Sequence, residues 1–351
     1  MEKFSVAIIG GGLSGLLLAN LLQKKNIDTI VLEASDRLGG RIHTIQAHRP
    51  GAAPLELGAT WFADMHQQLV QLISELNIER FPQYAAGISL FQTKSFEPPQ
   101  AFYVPESSEP SYRIAGGTSA LIEALRLSLL PGSVYTGRRV TAITGLSAGV
   151  RITTADAQVF EADQVVVCLP PQLAGKTITI HPALPEAVAG VINTVHTWME
   201  GTVKFTIEYA SAFWRSKGFS GMLYSHAGII TEMYDHTNAA GTAFALTGFL
   251  GGAAGSYSPA TRKDLVIKQL TELLGPDAGE MLHYEDKVWN DAFISSGSNT
   301  LLMPHQNNGH PLLQQSYLDG KLWFCGTETA AKYGGYMEGA VMAAKTMADK
   351  F

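Results

Sequence analysis

The sequence predicts an α/β fold: a doubly wound, parallel-sheet domain that binds a dinucleotide, joined to a second domain built on a sheet of its own. Three observations carry this. The β-branched apolar run Phe4 to Ile9 breaks at Gly10, Gly11, Gly12 and Gly15 and continues as an apolar helical stretch to about Lys24, which is G-x-G-x-x-G set between a strand and a helix. The run "QVVVCLPP" is apolar without alternation, as a parallel strand buried on both faces must be. Residues 194–291, by contrast, alternate at period two in "TVKFTIEY" and "TAFALTGFL", the pattern of a half-buried sheet.

Composition narrows the function classes. A chain of 351 residues with 46% hydrophobic content can bury two cores, and two domains is the reading its length favours. The formal charge of −6 is spread without a basic run, so neither nucleic acid nor an anionic membrane is expected as a partner, and a small molecule is. Cys168 and Cys325 each close an apolar run and read as small core residues at strand ends, with no disulfide framework. The histidines form no HExxH and join no cysteine pair, so no metal site is expected. The chain enters a strand at once and holds no uninterrupted apolar stretch of about 18 residues, from which we expect no membrane anchor and a reducing, cytoplasmic setting.

In the glycine turn, Gly10 permits the tight bend, Gly12 lets backbone approach a pyrophosphate, and Gly15 lets the helix pack close to the sheet. Leu13 and Ser14 open that helix, whose first-turn amides and dipole face an anion. The second strand, Asp28 to Leu32, ends at Glu33, eighteen residues after Gly15, where a carboxylate can accept both ribose hydroxyls of an adenosine. Ala34, Ser35 and Arg37 follow in the same binding stretch. Then "RLGGRIHT" supplies Gly39, Gly40 and Arg41, a second backbone loop with a guanidinium suited to phosphate oxygens. The motif alone does not separate NAD from FAD, but two phosphate-facing loops so close together suggest one long, buried dinucleotide.

Further on, "MHQQLVQLISELNIER" has helical spacing, residues 81–112 make a Pro- and Ser-rich loop-and-strand excursion, and "GGTSALIEALRLSLLPG" is a helix capped by Thr118 or Ser119. "GFLGGAAG" is rejected as a second nucleotide turn, because a capped helix follows it and no strand-borne acid stands at the right distance. That absence, with no C-x4-C pair, disfavours a pyridine-nucleotide disulfide reductase.

Six segments in order, "IIGGGLSGL…VLEASDRLGGRIHT", "LELGATWF", "YRIAGGTSALIEAL", "VVVCLPP", "TVKFTIEYASAFW" and "LWFCGTETAAKYGGYMEGA", resemble the flavin-containing amine oxidase family of monoamine and polyamine oxidases. The resemblance implies FAD, a discontinuous FAD-binding domain over residues 1–80, 113–193 and 292–351, and an α+β substrate domain with a mixed sheet over 81–112 and 194–291. It implies that Gly58, Ala59 and Thr60 approach the flavin ring, Val140 the adenine side, and Gly326, Thr327 and Glu328 the ribityl-phosphate region. Trp289 also joins the cofactor site, and Tyr336 and Met337 begin a helix beneath the flavin. By the same resemblance Lys204 stands where a lysine bonds through water to flavin N5, and Tyr336 forms one wall of an aromatic cage. Where monoamine oxidases carry a flavin-linked cysteine and a second cage tyrosine, this chain has Ser298 and Asn299, so the FAD is expected to be noncovalent and the cage incomplete. The implied activity is oxidation of an amine C–N bond with dioxygen as acceptor. The alternatives are a flavin dehydrogenase or desaturase on an apolar substrate, of the kind that acts on porphyrinogens or carotenoids, and a flavoprotein without turnover.

Overall fold

The structure, a computed structural model, describes residues 3–48, 53–105, 109–290, 292 and 303–351. Most of its strands divide between two large sheets, and Thr44–Ile45 with Leu55–Glu56 and Arg80–Pro82 with Tyr112–Ile114 form two small pairs. In the first, Lys3–Ile9 pairs in parallel with Thr29–Leu32 on one side and Val159–Val167 on the other. Thr29–Leu32 carries Val134–Tyr135, and the last residues of Val159–Val167 carry Leu322–Phe324, both in parallel. Five parallel strands thus end at one edge, and the glycine turn, Glu33, Cys168 and Gly326 all follow directly from those ends. In an open α/β sheet the crevice outside the strands' carboxyl ends is where ligands bind.

Period two decides what each strand touches. Val6, Ile8, Val31 and Val166 pack on one face against the helices Leu13–Lys24, Ser119–Ser128 and Met337–Ala348. Ala7, Ile9, Ile30, Leu32, Val165 and Val167 face the other side. There the antiparallel strands Val140–Gly145 and Val150–Thr154 and the helices Pro171–Thr177 and Glu186–Ile192 complete the core. Each such buried aliphatic side chain contributes about 1.5–3 kcal/mol of transfer free energy. The chain's two ends meet in this layer: the last helix lies against the first, and a Cβ at Gly339 would fall 2.2 Å from the Tyr333 carbonyl oxygen, so only glycine fits.

The second sheet is mixed, in the order His283–Val288, Val203–Tyr209, Phe244–Leu250, Ile230–Asp235, Phe219–Ser225, Ile88–Gln92, Gln100–Tyr103. All neighbours are antiparallel except Phe219–Ser225 with Ile88–Gln92. The segment "GFLGGAAG" ends a strand of this sheet and passes through a short 3-10 turn into the helix Pro259–Leu274, which Ser258 caps by accepting from the Thr261 amide at 3.1 Å.

One helix start differs from the sequence expectation. Thr118 precedes the helix Ser119–Ser128, but its side chain does not cap it. The caps come from far along the chain: the Thr118 amide donates to Glu56 at 2.5 Å and the Ser119 amide to the Thr44 hydroxyl at 2.8 Å. The helix Gln67–Glu75 is likewise capped by Glu338, which accepts from the Gln68 and Leu69 amides at 3.0 and 2.7 Å. A carboxylate at a helix N-terminus satisfies orphan donors and meets the positive end of the dipole.

Candidate functional site

A cleft of about 170 Å³ runs along the carboxyl edge of the parallel sheet. Gly10, Gly12, Leu13 and Ser14 form one wall with the uncapped amides of the first helix. Glu33, Ala34, Ser35, Arg37, Gly39 and Gly40 form the next, and Val140 closes the far end. Glu33 accepts from the Gly11 amide at 2.6 Å and the Ser35 amide at 2.8 Å, which fixes its carboxylate while leaving lone pairs for ligand hydroxyls. Arg37 turns inward: its guanidinium donates to the carbonyls of Gly40 (2.8 Å) and Ile42 (3.1 Å), so it shapes the second loop. Gly12 lies against that loop with open space in front of it, since a Cβ there would meet only the Gly39 oxygen at 3.9 Å. A side chain at Gly12 would occupy the cradle.

The C-terminal turn Gly326, Thr327, Glu328 faces this wall. Glu328 is fully buried and lies 2.7 Å from the Arg41 guanidinium, an ion pair that ties the second loop to the C-terminal segment. That approach is not aligned as a hydrogen bond, and neither carboxylate oxygen of Glu328 has a hydrogen-bond partner among the described residues. A buried acceptor left in this way is costly unless a ligand hydroxyl meets it. The free amides, the open glycine cradle and the orphaned Glu328 oxygens together fit the ribityl and pyrophosphate parts of a flavin dinucleotide.

The cleft opens into a second cavity, of about 530 Å³, and the two share Arg41, Ala59, Gly335, Tyr336 and Met337. Lys204 lies at its base, 2% exposed, donating to the Gly58 carbonyl at 2.7 Å and to the Thr60 hydroxyl, with its ammonium 4.6 Å from the Trp61 ring centre. Burial pulls its pKa down to about 7 against the pull of Glu56. Register places Lys204 opposite Phe249, and Phe249 opposite Glu232. Cross-strand partners share a face, and at ~4.8 Å per strand the row sets Glu232 roughly 10 Å from Lys204. Glu232 lines the cavity and accepts from the Tyr234 hydroxyl. Tyr336, 43% exposed, stacks near Trp198 (6.2 Å, 26°) and His305 (5.8 Å, 14°). Trp289 is anchored through its indole N–H to the Leu57 carbonyl at 2.8 Å.

Every site residue expected from the sequence lines one of these two connected spaces except Gly15. Gly15 instead abuts the strand: a Cβ would stand 2.0 Å from the Gly10 carbonyl oxygen. Its part is helix-to-strand approach, and it does not touch the ligand space. Ser298 and Asn299 lie outside the described residues. Sequence reasoning missed Glu232, Trp198 and Glu56. Only strand register brings the first into line with Lys204, Trp198 sits in a segment with no motif, and Glu56 lies in "LELGATWF" but was passed over beside Gly58, Ala59 and Thr60. Among the described residues no group of acidic, histidine and cysteine side chains could hold a metal ion, and no helix is long and apolar enough to cross a membrane.

Comparison with known proteins agrees with this fold. The family model of flavin containing amine oxidoreductases matches residues 13–102 and 84–350. The flavin-containing amine oxidase B of Canis lupus familiaris is 25% identical over 452 aligned positions, covering 99% of this chain and 85% of the relative, and the human amine oxidase B is 24% identical with 99% and 86% covered. Among solved structures, a putrescine oxidase bound to putrescine superposes with a TM-score of 0.85 at 20% identity, covering 99% of both chains. A cyclohexylamine oxidase from Brevibacterium oxydans gives the same TM-score and identity, covering 99% of this chain and 98% of that one.

Proposed function

Since this chain belongs to the family of flavin containing amine oxidoreductases, we propose that it is an amine oxidase that holds FAD noncovalently and oxidises the carbon next to an amine nitrogen, with dioxygen as the final acceptor. FAD, when bound, accepts the hydride equivalent and passes the electrons on. The chain's residues do the rest.

Gly12, the first-helix amides, Glu33 and Glu328 would hold the dinucleotide, with Arg41 bridging the second loop and the C-terminal turn. Tyr336 and Met337 stand where the cofactor cleft passes into the wider cavity and Lys204 lines that cavity, so the reacting carbon is to be bound there. The observation that carries the reading is the content of that cavity: Trp61, Phe249, Tyr234, Trp198 and Tyr336 as walls, and Glu232 as a carboxylate on the Lys204 row. Aromatic faces and a carboxylate attract an ammonium ion during entry. Thr60 and the Gly58 carbonyl position the Lys204 ammonium, which would stabilise negative charge arising on the cofactor side of the cavity. The imine formed from the substrate leaves to hydrolyse to a carbonyl and the shortened amine or ammonia.

Anaerobic mixing of the FAD-loaded protein with primary, secondary and α,ω-diamines tests this. At least one class should bleach the flavin, and admitting air should restore its colour with release of peroxide. A loaded protein that no amine bleaches would refute the proposal, and slow recovery in air would exclude dioxygen as the acceptor.

A further inference from the structure

Next to Thr60, apart from the substrate cavity, lies a second, small chamber of about 30 Å³. Thr60 lines both spaces, and its hydroxyl is the one that accepts from Lys204. Glu56, Arg113, His236 and Asn238 line the chamber with it, and the first three are each no more than 5% exposed. Such a volume is enough for a water molecule, which needs two to four polar partners.

The charges around this chamber are unevenly met. Asp235 is committed to Arg215 through two bonds of 2.7 and 2.9 Å. The Arg113 Nε has no partner among the described residues, and its other nitrogens face His236 (2.9 Å) and the Thr237 carbonyl. His236 accepts from Arg113 on Nδ1 at 2.9 Å and stands beside the Glu56 amide, and burial together with the Arg113 charge holds its pKa well below the usual value, so it stays neutral. Glu56 makes no ion pair among the described residues; its oxygens accept from the Thr118 amide and the Thr44 hydroxyl, with the Thr118 side chain also beside it. Burial raises its pKa, while the Thr118 amide, Lys204 and Thr44 oppose the rise. Glu56 is thus the buried acid that acts on Lys204, while Arg113 feels Asp235 more strongly than it feels Glu56. Along the sheet face the remaining ionisable neighbours of Lys204 are Lys287, whose ammonium lies over Trp289, and Glu232.

We propose that Glu56 and Lys204 share one mobile proton through the Thr60 hydroxyl and a water molecule held in this chamber, so that Glu56 supplies the proton that charges Lys204 when negative charge arises on the cofactor. The inference rests on the functional reading above, in which Lys204 faces the flavin. The step conserves charge: the Glu56 carboxyl loses a proton, the Lys204 amine gains it, and the reverse transfer follows reoxidation. Glu56 touches neither substrate nor cofactor and acts through the lysine.

Infrared difference spectroscopy of the FAD-loaded protein, reduced electrochemically without any amine, reads this transfer directly. In the wild type a protonated-carboxyl band should disappear on reduction and return on oxidation. Glu56→Gln, whose amide oxygen can still accept from the Thr118 amide, should lose that band completely. Thr60→Val, of nearly equal shape, should slow the band's disappearance at least tenfold relative to flavin reduction in the same sample, and it carries the test if the Glu56 variant does not fold. No carboxyl band change in the wild type, the same band in Glu56→Gln, or an unaltered rate in Thr60→Val would overturn the proposal. Persistence of the band in Lys204→Met would overturn it too, by giving the proton another destination. Protein that binds no FAD would instead fail the functional reading, and this inference with it.

Discussion

Lys204→Met should make the cofactor-free protein more stable and the loaded protein a poorer catalyst. The lysine's pKa of about 7, against 10.5 for the free side chain, means that its charge is strained in the folded state. A shift of that size corresponds to roughly 5 kcal/mol, an upper bound on what removing the charge could recover. Part is forfeited, because Glu56 loses its nearest partner cation and must hold its own proton. No new buried orphan is created, since the Thr60 hydroxyl still donates to the Gly58 carbonyl at 3.0 Å. A net gain of about 2 kcal/mol is the expectation below pH 7, a rise of a few degrees in Tm. The sign follows from a depressed pKa: between pH 7 and 10.5 the unfolded chain binds the proton that the folded chain does not. Wild-type stability therefore climbs with pH across that window, and the advantage of the variant shrinks to nothing above it. Chemical denaturation of both apoproteins at pH 6, 8.5 and 10.5 measures this. A variant less stable than wild type at pH 6, or a difference that does not change with pH, would refute the claim that Lys204 is held against its electrostatic preference.

The two glycines of the first turn should separate binding from folding. Gly12→Ala meets open space, so apoprotein Tm should stay within a degree or two while FAD affinity, read by quenching of flavin fluorescence, falls at least tenfold. Gly15→Ala drives a methyl into the Gly10 carbonyl and should lower apoprotein stability by about 1–3 kcal/mol in the same denaturation assay. Glu328→Ala removes the acceptor that lacks a hydrogen-bond partner and should weaken FAD about tenfold, near 1.4 kcal/mol, and by unpairing Arg41 it should also lower apoprotein Tm. Glu232→Gln should raise KM for α,ω-diamines about tenfold, leave KM for a monoamine of equal length within twofold, and leave kcat for both unchanged; equal effects on the two substrates would show that the carboxylate does not read a second charge.

What was legible in the sequence follows from locality. Gly10, Gly12 and Glu33 could be read because the strand, turn, helix and acid that give them meaning lie within one short stretch. Gly15 was legible too, but as a packing residue. Lys204 and Tyr336 sit in ordinary strand and helix patterns, and only resemblance to a family singled them out. Glu56, Glu338 and Glu232 were opaque for a different reason. The first two cap helices that begin 63 and 271 residues away in opposite directions along the chain, at Ser119 and Gln67 respectively. The third acquires its place from the register of three strands. No local pattern encodes either relation, since a helix cap needs only a carboxylate near an amide and register is fixed by the whole sheet.

These distant contacts explain why the strained lysine can be kept. The segment that holds it, Leu57 to Trp61, is pinned on both sides: Glu56 is bound to the start of the helix Ser119–Ser128, and Trp289 holds the Leu57 carbonyl. Gly58 cannot relax toward water either, because a Cβ there would sit 2.3 Å from the Arg41 carbonyl oxygen, so the loop is pressed against the very stretch that grips Glu328. A buried ammonium persists only where the surrounding structure over-determines its position. Here that surrounding structure is the proposed cofactor cleft, drawn from both ends of the chain. Loosening the lysine's cage should therefore loosen the cofactor, and tightening the cofactor should raise the lysine's pKa by bringing negative charge toward it.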